Sequence, residues 1–499
     1  MQENKLTTNL QGISSSYDKL IFNEQGKDTN EAMDDKDRQG KYINALNTIR
    51  ELLTKNDTAE LIHSIDDDQA KKIVKKKILD YLKHEELNVE GFSDPTKLAE
   101  ELYKDITGLS FLEKYLERDD VEEIDGNAWD DIEIITLKGW EKIEDKFQSK
   151  HHAIDIVRKM VELGGKNLNN KTPQVDSFLG TGLRISAAIS PIVDEEVGII
   201  FSIRKQRMKV FSREDFMEIG TCQEEEYDLI KCLLSNGMSI GIGGETNSGK
   251  TAFMQSILYD IAKEGKDRIC TMEEDTREIS LIYKDQDKKK TISRVIHTKT
   301  RPSEDEKRNV SPDDILKLLL RFNPNIIAPA EMRGKEAMTA QESARTGHAV
   351  ITSFHAEDVT GGYFRMLTMC MMSGTNLSED LLLGLLVRAF PFMVIIEQLP
   401  DRTRKVTKIF EATGYEAREK KIKGRLLYQY KVMGKEVDET GRITKIIGKH
   451  EKVHHITDKT AAKLFNKGVG IDTIRRFAGE AWSRESVELQ KVMDDFIFE

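Results

Sequence analysis

The chain has 499 residues, is 38% hydrophobic and 33% charged, and carries a formal net charge of −11. Such length accommodates three or four domains, and such a balance is that of a globular protein with a charged surface. The acidic excess excludes a sequence-independent grip on nucleic acid through bulk charge, and the four cysteines, Cys222, Cys232, Cys270 and Cys370, form no CxxC pair, which excludes a disulfide framework and points to reduced thiols of a cytosolic protein.

The first ten residues, MQENKLTTNL, lack a basic start followed by an apolar run, so no signal peptide is expected. Residues 1–40 are rich in Asn, Asp, Lys, Gln and Ser and read as a disordered polar tail. Over 41–105, Ile43, Leu46, Ile49, Leu52 and Leu53 recur at spacings of three and four, as do Ile73, Ile78, Leu79 and Leu82, which predicts a helical bundle. Residues 106–215 alternate shorter elements and predict an α/β domain. Helices are expected over Leu109–Arg118 and His151–Leu163, a turn-rich stretch over Val121–Ile135 ends in strand IEII, and antiparallel strands fall at Gly182–Ile192 and Val197–Ile203.

Over 216–415 strands and helices alternate with the logic of a parallel sheet. The apolar run SIGIGG opens it, and further strands are expected at Arg268–Met272, Ile326–Ala330, Ala349–Ser353 and Phe392–Ile396. The most apolar stretch, Leu381–Ile396, contains Arg388 and is too short to span a bilayer, so the chain is expected to be soluble with at most peripheral membrane contact. The basic run Lys288-Lys289-Lys290 reads as a solvated loop. Residues 416–499 switch to strand signals at Leu426–Val432 and Arg442–Ile447, then two helices around a Gly-Val-Gly break, and read as an appended α+β module.

One motif carries chemistry without further context. Gly244-Glu245-Thr246-Asn247-Ser248-Gly249-Lys250-Thr251 fits G-x-x-x-x-G-K-[ST] in full, between an apolar strand and a helix. Glycines let the backbone approach phosphate, successive amides point inward as an anion nest, and the helix adds its positive dipole end. Lys250 then reaches the β- and γ-phosphates of ATP, and Thr251 offers a hydroxyl to Mg²⁺.

Four stretches in order resemble the type II/IV secretion system traffic ATPases. After the phosphate loop, Glu273-Glu274-Asp275-Thr276-Arg277-Glu278 resembles the family's acidic box, E-D-x-x-E at its core. Leu319-Leu320-Arg321-Phe322-Asn323-Pro324-Asn325 leading to Glu331-Met332-Arg333-Gly334 resembles its Walker B region. Thr346-Gly347-His348, followed by His355-Ala356, resembles its histidine box. Upstream, Gly182-Leu183-Arg184-Ile185 and Ser202-Ile203-Arg204-Lys205 look like the family's G-x-R-I and I-R-K. The match runs over roughly 105–415 and is nearest the tight-adherence pilus (CpaF-type) and conjugation-type hexameric ATPases. Asn325 stands where the family has Asp, Ala330 where it has Gly, and the paired cysteines of type II secretion ATPases are absent.

The resemblance implies a RecA-like P-loop motor domain preceded by a small α/β (PAS-like) domain. Glu331 sits past a buried strand, at the carboxyl end of the sheet beside the loop; by resemblance it polarises the attacking water, the plainer alternative being an acid capping the next helix. Glu274, Asp275 and Glu278 follow another strand, where acids hold Mg²⁺ through water or simply favour a helix start; by resemblance Glu278 is the foremost of them. His348 and His355 are implied to sense the γ-phosphate, and no third ligand marks a zinc site. Arg184 and Arg204 are implied to close onto nucleotide in a ring, surface salt bridging being the alternative for them as for Arg321 and Arg333. The implied whole is a cytoplasmic homohexameric ATP-driven motor at the inner face of a membrane, acting on a polytopic platform protein. A nucleotide-gated scaffold with little turnover and a nucleic-acid translocase are the other two readings.

Overall fold

The computed structural model describes residues 41–483, except 43, 47, 54, 58–59, 62–63, 65–67, 90–91, 93, 108, 110, 137–138, 148, 180–181, 206–209, 275–277, 286–289 and 302–306. The expectations for the 1–40 tail, Asp275, Lys288 and Lys289 fall outside those residues. The chain forms two compact units, one made of residues up to 136 with 140–205, the other of 206–499 with 137–139.

In the first unit, helices α1 (Asp68–His84) and α2 (Pro95–Thr107) share a core of Ile49, Leu53, Val74, Ile78, Leu98 and Leu102. Of the periodic apolar positions read in 41–105, Ile49, Leu53, Ile78 and Leu82 are buried in this core, whereas Ile73 is 50% exposed. A short helix α3 (Leu112–Leu116) follows. Six strands then form a sheet: β1 (Val121–Ala128), β2 (Asp131–Thr136), β3 (Gly139–Lys142), β4 (Gln174–Leu179), β5 (Leu183–Ile189) and β6 (Ile199–Lys205), in the order β3-β2-β1-β6-β5-β4. Helix α4 (Lys150–Leu163), N-capped by Ser149, packs its buried Ala153, Val157, Met160 and Val161 on the same core as Ile124, Ile134, Ile185 and Ile203. The stretch Val121–Ile135, read as turn-rich from sequence, is a hairpin of β1 and β2. Gly126 is not a turn signal: a Cβ there would lie 2.2 Å from the Phe201 ring on the neighbouring strand.

The second unit is built on a nine-stranded sheet, flanked by helices. Helices α5 (Arg213–Glu218) and α6 (Glu224–Ser235) each open on a reciprocal capping box, Ser212 with Asp215 and Gln223 with Glu226. Strand β7 (Ile240–Gly244) and helix α7 (Lys250–Glu264) follow, then β8 (Arg268–Glu273), β9 (Arg294–Lys299), helix α8 (Pro312–Leu319), β10 (Ile326–Pro329), helix α9 (Glu336–Arg345) and β11 (Ala349–His355). Helices α10 (Val359–Met371) and α11 (Glu379–Ala389) precede β12 (Phe392–Gln398), β13 (Arg404–Glu416), β14 (Lys421–Val437) and β15 (Ile443–Lys452), and helices α12 (Asp458–Asn466) and α13 (Ile471–Ala478) close the unit. The strand order is β15-β14-β13-β12-β7-β11-β10-β8-β9. The six strands from β12 to β9 are parallel, and β13, β14 and β15 add antiparallel at the β12 edge.

Burial on both faces explains the unbroken apolar runs in these strands. Val350, Met393 and Ile395 face a core with Leu316, Met366, Leu382 and Leu386, whereas Ile351, Val394 and Ile396 face one with Leu229, Phe253 and Ile257. The second core also holds Leu464, Ile474, Phe477 and Trp482. The appended module expected over 416–499 is therefore corrected: its boundary at 415/416 falls inside β13, its described strands extend the nine-stranded sheet, and its described helices share a core with α7. No helix among the described residues is long and apolar enough to cross a membrane.

Candidate active site

Strand β7 ends at Gly244 and α7 begins at Lys250, so the loop between them lies at the carboxyl edge of the sheet. The loop tolerates little extra bulk. A Cβ on Gly244 would sit 2.2 Å from the Ile396 carbonyl oxygen and 2.7 Å from Ser248 Oγ. Gly249, at φ 92°, occupies the left-handed region that glycine adopts freely, and Asn247, at φ 62°, is the residue type that best tolerates it otherwise. Glu245, Thr246 and Asn247 form the exposed rim, and Thr251 lies half-buried in the first turn of α7. Ser248 is buried, and its Oγ has no hydrogen-bond partner among the described residues. Lys250 is 7% exposed and donates from Nζ to the carbonyls of Gly244 at 3.0 Å and Glu245 at 2.6 Å. Its ammonium thus lies over a cup whose floor is the amino end of α7, where unpaired amides and the helix dipole favour an anion.

Strands on one side of β7 deliver further groups to that edge. β11 runs parallel to β7 with His355 opposite Gly244. Glu331, two residues past β10, bridges to Ser353 of β11, and the Met332 amide donates to the Ser353 carbonyl at 2.9 Å. Glu331 Oε1 lies 3.3 Å from His355 Nε2, and Oε2 accepts from Arg333 Nη2 at 2.9 Å. Arg333 Nη1 donates to Glu274, just past β8, at 2.9 Å, so one guanidinium joins two acids from different strand ends. Burial alone would raise the Glu331 carboxyl. The Arg333 hydrogen bond and charge, with the charges of His355 and Lys250, outweigh that and hold it below the ordinary carboxylate value. Glu331 Oε1 is buried and accepts no hydrogen bond among the described residues. It is an ionised, oriented acceptor.

Two buried carboxylates fix the loops that carry these groups. Glu336, 4% exposed at the start of α9, accepts at Oε1 from the amides of Arg333 at 2.7 Å and Gly334 at 2.8 Å. Glu273, 3% exposed, accepts at Oε2 from the amides of Ile279 at 2.9 Å and Glu278. Glu278 itself is exposed, and its charge acts on Arg333.

The structure gathers Lys250, Glu331, His355 and Glu274 at one edge but not His348. His348 immediately precedes β11, its Nδ1 3.0 Å from the Pro324 carbonyl, and the seven-residue strand puts it roughly 23 Å from His355. Within a single chain, the length of β11 therefore keeps the two histidines at opposite edges of the sheet. Arg321 lies at the same far end, in the turn before β10. So does Asn325, whose side chain accepts from the Arg268 amide at 2.8 Å and ties β8 to β10. Arg184 and Arg204 are in the first unit, directly opposite one another on β5 and β6, with Glu123 next in the row and Asp176 4.0 Å from Arg184. Sequence reasoning weighed Arg333 between nucleotide and a surface salt bridge, quoted Glu273 only as part of the acidic box, and gave no role to Glu336 or Arg404. Only Glu336, an acid in the first turn after a strand end, left a local signal.

The chain belongs to the type II/IV secretion system protein family, which matches residues 105–474. Among curated relatives, an uncharacterized protein of Methanocaldococcus jannaschii is 30% identical over 52% of this chain and 44% of its own length. The conjugal transfer protein TrbB of Rhizobium radiobacter is 25% identical over 47% and 66%. The type IV secretion system protein PtlH of Bordetella pertussis is 23% identical over 62% and 95%. The chain spans less than half the length of the two M. jannaschii relatives it matches first, at 44% and 34%. Among solved structures, the VirB11 ATPase of the Brucella suis type IV secretion system is 22% identical over 60% of this chain and 92% of that one, with a TM-score of 0.31. The Legionella pneumophila ATPase DotB is 18% identical over 62% and 80%, with a TM-score of 0.43.

Proposed function

We propose that the chain is an ATP-hydrolysing ring motor that powers pilus assembly, protein secretion or conjugative transfer through a membrane-embedded machine. The observation that carries this reading is Glu331: an ionised carboxylate whose buried Oε1 lies 3.3 Å from His355 and accepts no hydrogen bond among the described residues, at the strand end next but one to a phosphate cup.

The loop amides and Lys250 bind the β- and γ-phosphates, Lys250 exchanging its hold on two loop carbonyls for phosphate oxygens. Glu331 Oε1 accepts from the attacking water and orients it in line, while Arg333 and His355 hold that carboxylate in place. The donor set also fits Mg²⁺: the hydroxyl of Thr251 and the carboxylates of Glu274 and Glu278 are hard oxygen ligands of the kind that ion takes, in small number, alongside phosphate and water. When bound, Mg²⁺ supplies neutralisation of phosphate charge.

Assembly as a homohexamer, a seat at the cytoplasmic face of the membrane, a polytopic platform partner, and Arg184 and Arg204 closing on nucleotide belong to the same proposal. Two features favour the scaffold reading, the divergent Asn325 and the long segment after 415; Asn325 ties two strands at the far end of the sheet, and the strands of that segment continue the same sheet. The test is phosphate release by the purified chain with Mg-ATP, together with its mass in solution. Turnover by a sixfold assembly supports the proposal. Nucleotide binding by that assembly without turnover would favour the scaffold instead.

A further inference from the structure

Three successive residues at the start of β13 touch two different parts of the second unit. Arg404 Nε donates to the Asn247 carbonyl of the phosphate loop at 2.8 Å, across 157 residues of sequence. Its Cδ lies 3.1 Å from where a Cβ on Gly249 would sit, so the side chain rests on the loop. Lys405 leaves the strand on the opposite face, as the pleat requires. It is 9% exposed and donates from Nζ to the carbonyls of Gly220 at 2.6 Å and Ile219 at 3.3 Å. The amide of Val406 donates to the Thr221 carbonyl at 2.8 Å. Burial depresses the Lys405 pKa, so its ammonium depends on those two carbonyls for the solvation it has lost.

The Arg404 contact has a direct consequence for the cup. The peptide joining Asn247 to Ser248 is planar, so its carbonyl and the Ser248 amide point in opposite directions. Arg404 holds the carbonyl and so keeps that amide on the opposite side of the peptide, where it donates to the Glu245 carbonyl at 3.4 Å. A phosphate oxygen in the cup would compete with that carbonyl for the amide.

We infer that Arg404 is a positioning residue for the phosphate cup, and that the start of β13 carries the state of the cup to Ile219–Thr221, just after the chain enters the second unit. The inference rests on ATP occupying the cup. A loop that closes on phosphate pulls on the Asn247 carbonyl, Arg404 follows, and the strand moves the two anchors beside it.

The test compares wild type, Arg404→Ala and Arg404→Lys in the full chain, with Mg-ADP as the probe. Titration calorimetry reads affinity, and hydrogen exchange reads the segment around Thr221 with and without nucleotide. Loss of a charge-assisted bond to the loop weakens Mg-ADP binding about tenfold in the alanine variant. The lysine variant, which keeps the charge but not the Nε geometry, falls between. Wild type shows a nucleotide-dependent change in exchange at 219–221 that the alanine variant loses, while melting without nucleotide stays within about 3 °C. Alanine-variant affinity within about twofold of wild type, or an undiminished exchange response, overturns the inference. Failure of wild type to bind Mg-ADP would instead overturn the nucleotide reading.

Discussion

Replacing Glu331 with Gln separates chemistry from binding. The substitution keeps shape and one acceptor but removes the charge that Arg333 meets at 2.9 Å and His355 at 3.3 Å. General-base or water-orienting assistance contributes about 10²–10⁴-fold, which is about 2.7–5.5 kcal/mol of barrier. The fold loses little, because Glu331 is 26% and Arg333 50% exposed at the side chain, and such a pair contributes about 0.2–1 kcal/mol. Lys250 and the loop amides are untouched, so nucleotide affinity stays within about threefold. Single-turnover phosphate release gives the rate, and calorimetry with Mg-ADP gives the affinity. A rate within about threefold of wild type would refute the assignment, and lost affinity with an intact rate constant would make Glu331 structural.

Four further outcomes follow from the same geometry. Phe477→Ala, at a site 1% exposed in the core shared with α7, lowers stability by about 3–5 kcal/mol in chemical denaturation, whereas an appended module would leave the transition of the rest of the second unit in place. Gly244→Ala drives a Cβ to 2.2 Å from the Ile396 carbonyl and abolishes Mg-ADP binding by calorimetry. Glu336→Ala leaves the Arg333 and Gly334 amides without their carboxylate and lowers turnover about tenfold or more, while Glu336→Gln, which keeps the single accepting oxygen, recovers most of it. Glu331 is held below its ordinary value, so its contribution to stability is present above the unfolded value and lost as pH falls through the folded one. The acid limb of turnover set by this group therefore lies below the ordinary glutamate range in a pH–rate profile.

What could be read from the sequence was what is local. The phosphate loop is eight consecutive residues with a strand before and a helix after, so composition and order suffice. The parallel strands carry long apolar runs because both faces are buried, and Glu331 and His355 lie at the carboxyl ends of two of them. The antiparallel edge was harder. Ile409, Leu427 and Tyr428 are buried only because β13 and β14 align beside β12, and nothing in 404–452 announces that partner. The helices after Ile456 showed their periodicity and the glycine break between them, but not the core they join. Arg404 and Arg333 gain their roles from contacts 157 and 59 residues away, beyond any spacing rule. His348 shows the converse limit: a motif lists neighbours in sequence, and a seven-residue extended strand separates them in space.

The central claim is that Lys250 and the loop around it hold a triphosphate for hydrolysis. The most direct measurement is steady-state phosphate release from Mg-ATP by wild type and by Lys250→Ala, each checked for an unchanged melting transition. The account predicts that wild type turns ATP over and that the alanine variant loses at least about a hundredfold of that activity. Undiminished turnover in the folded variant would contradict it.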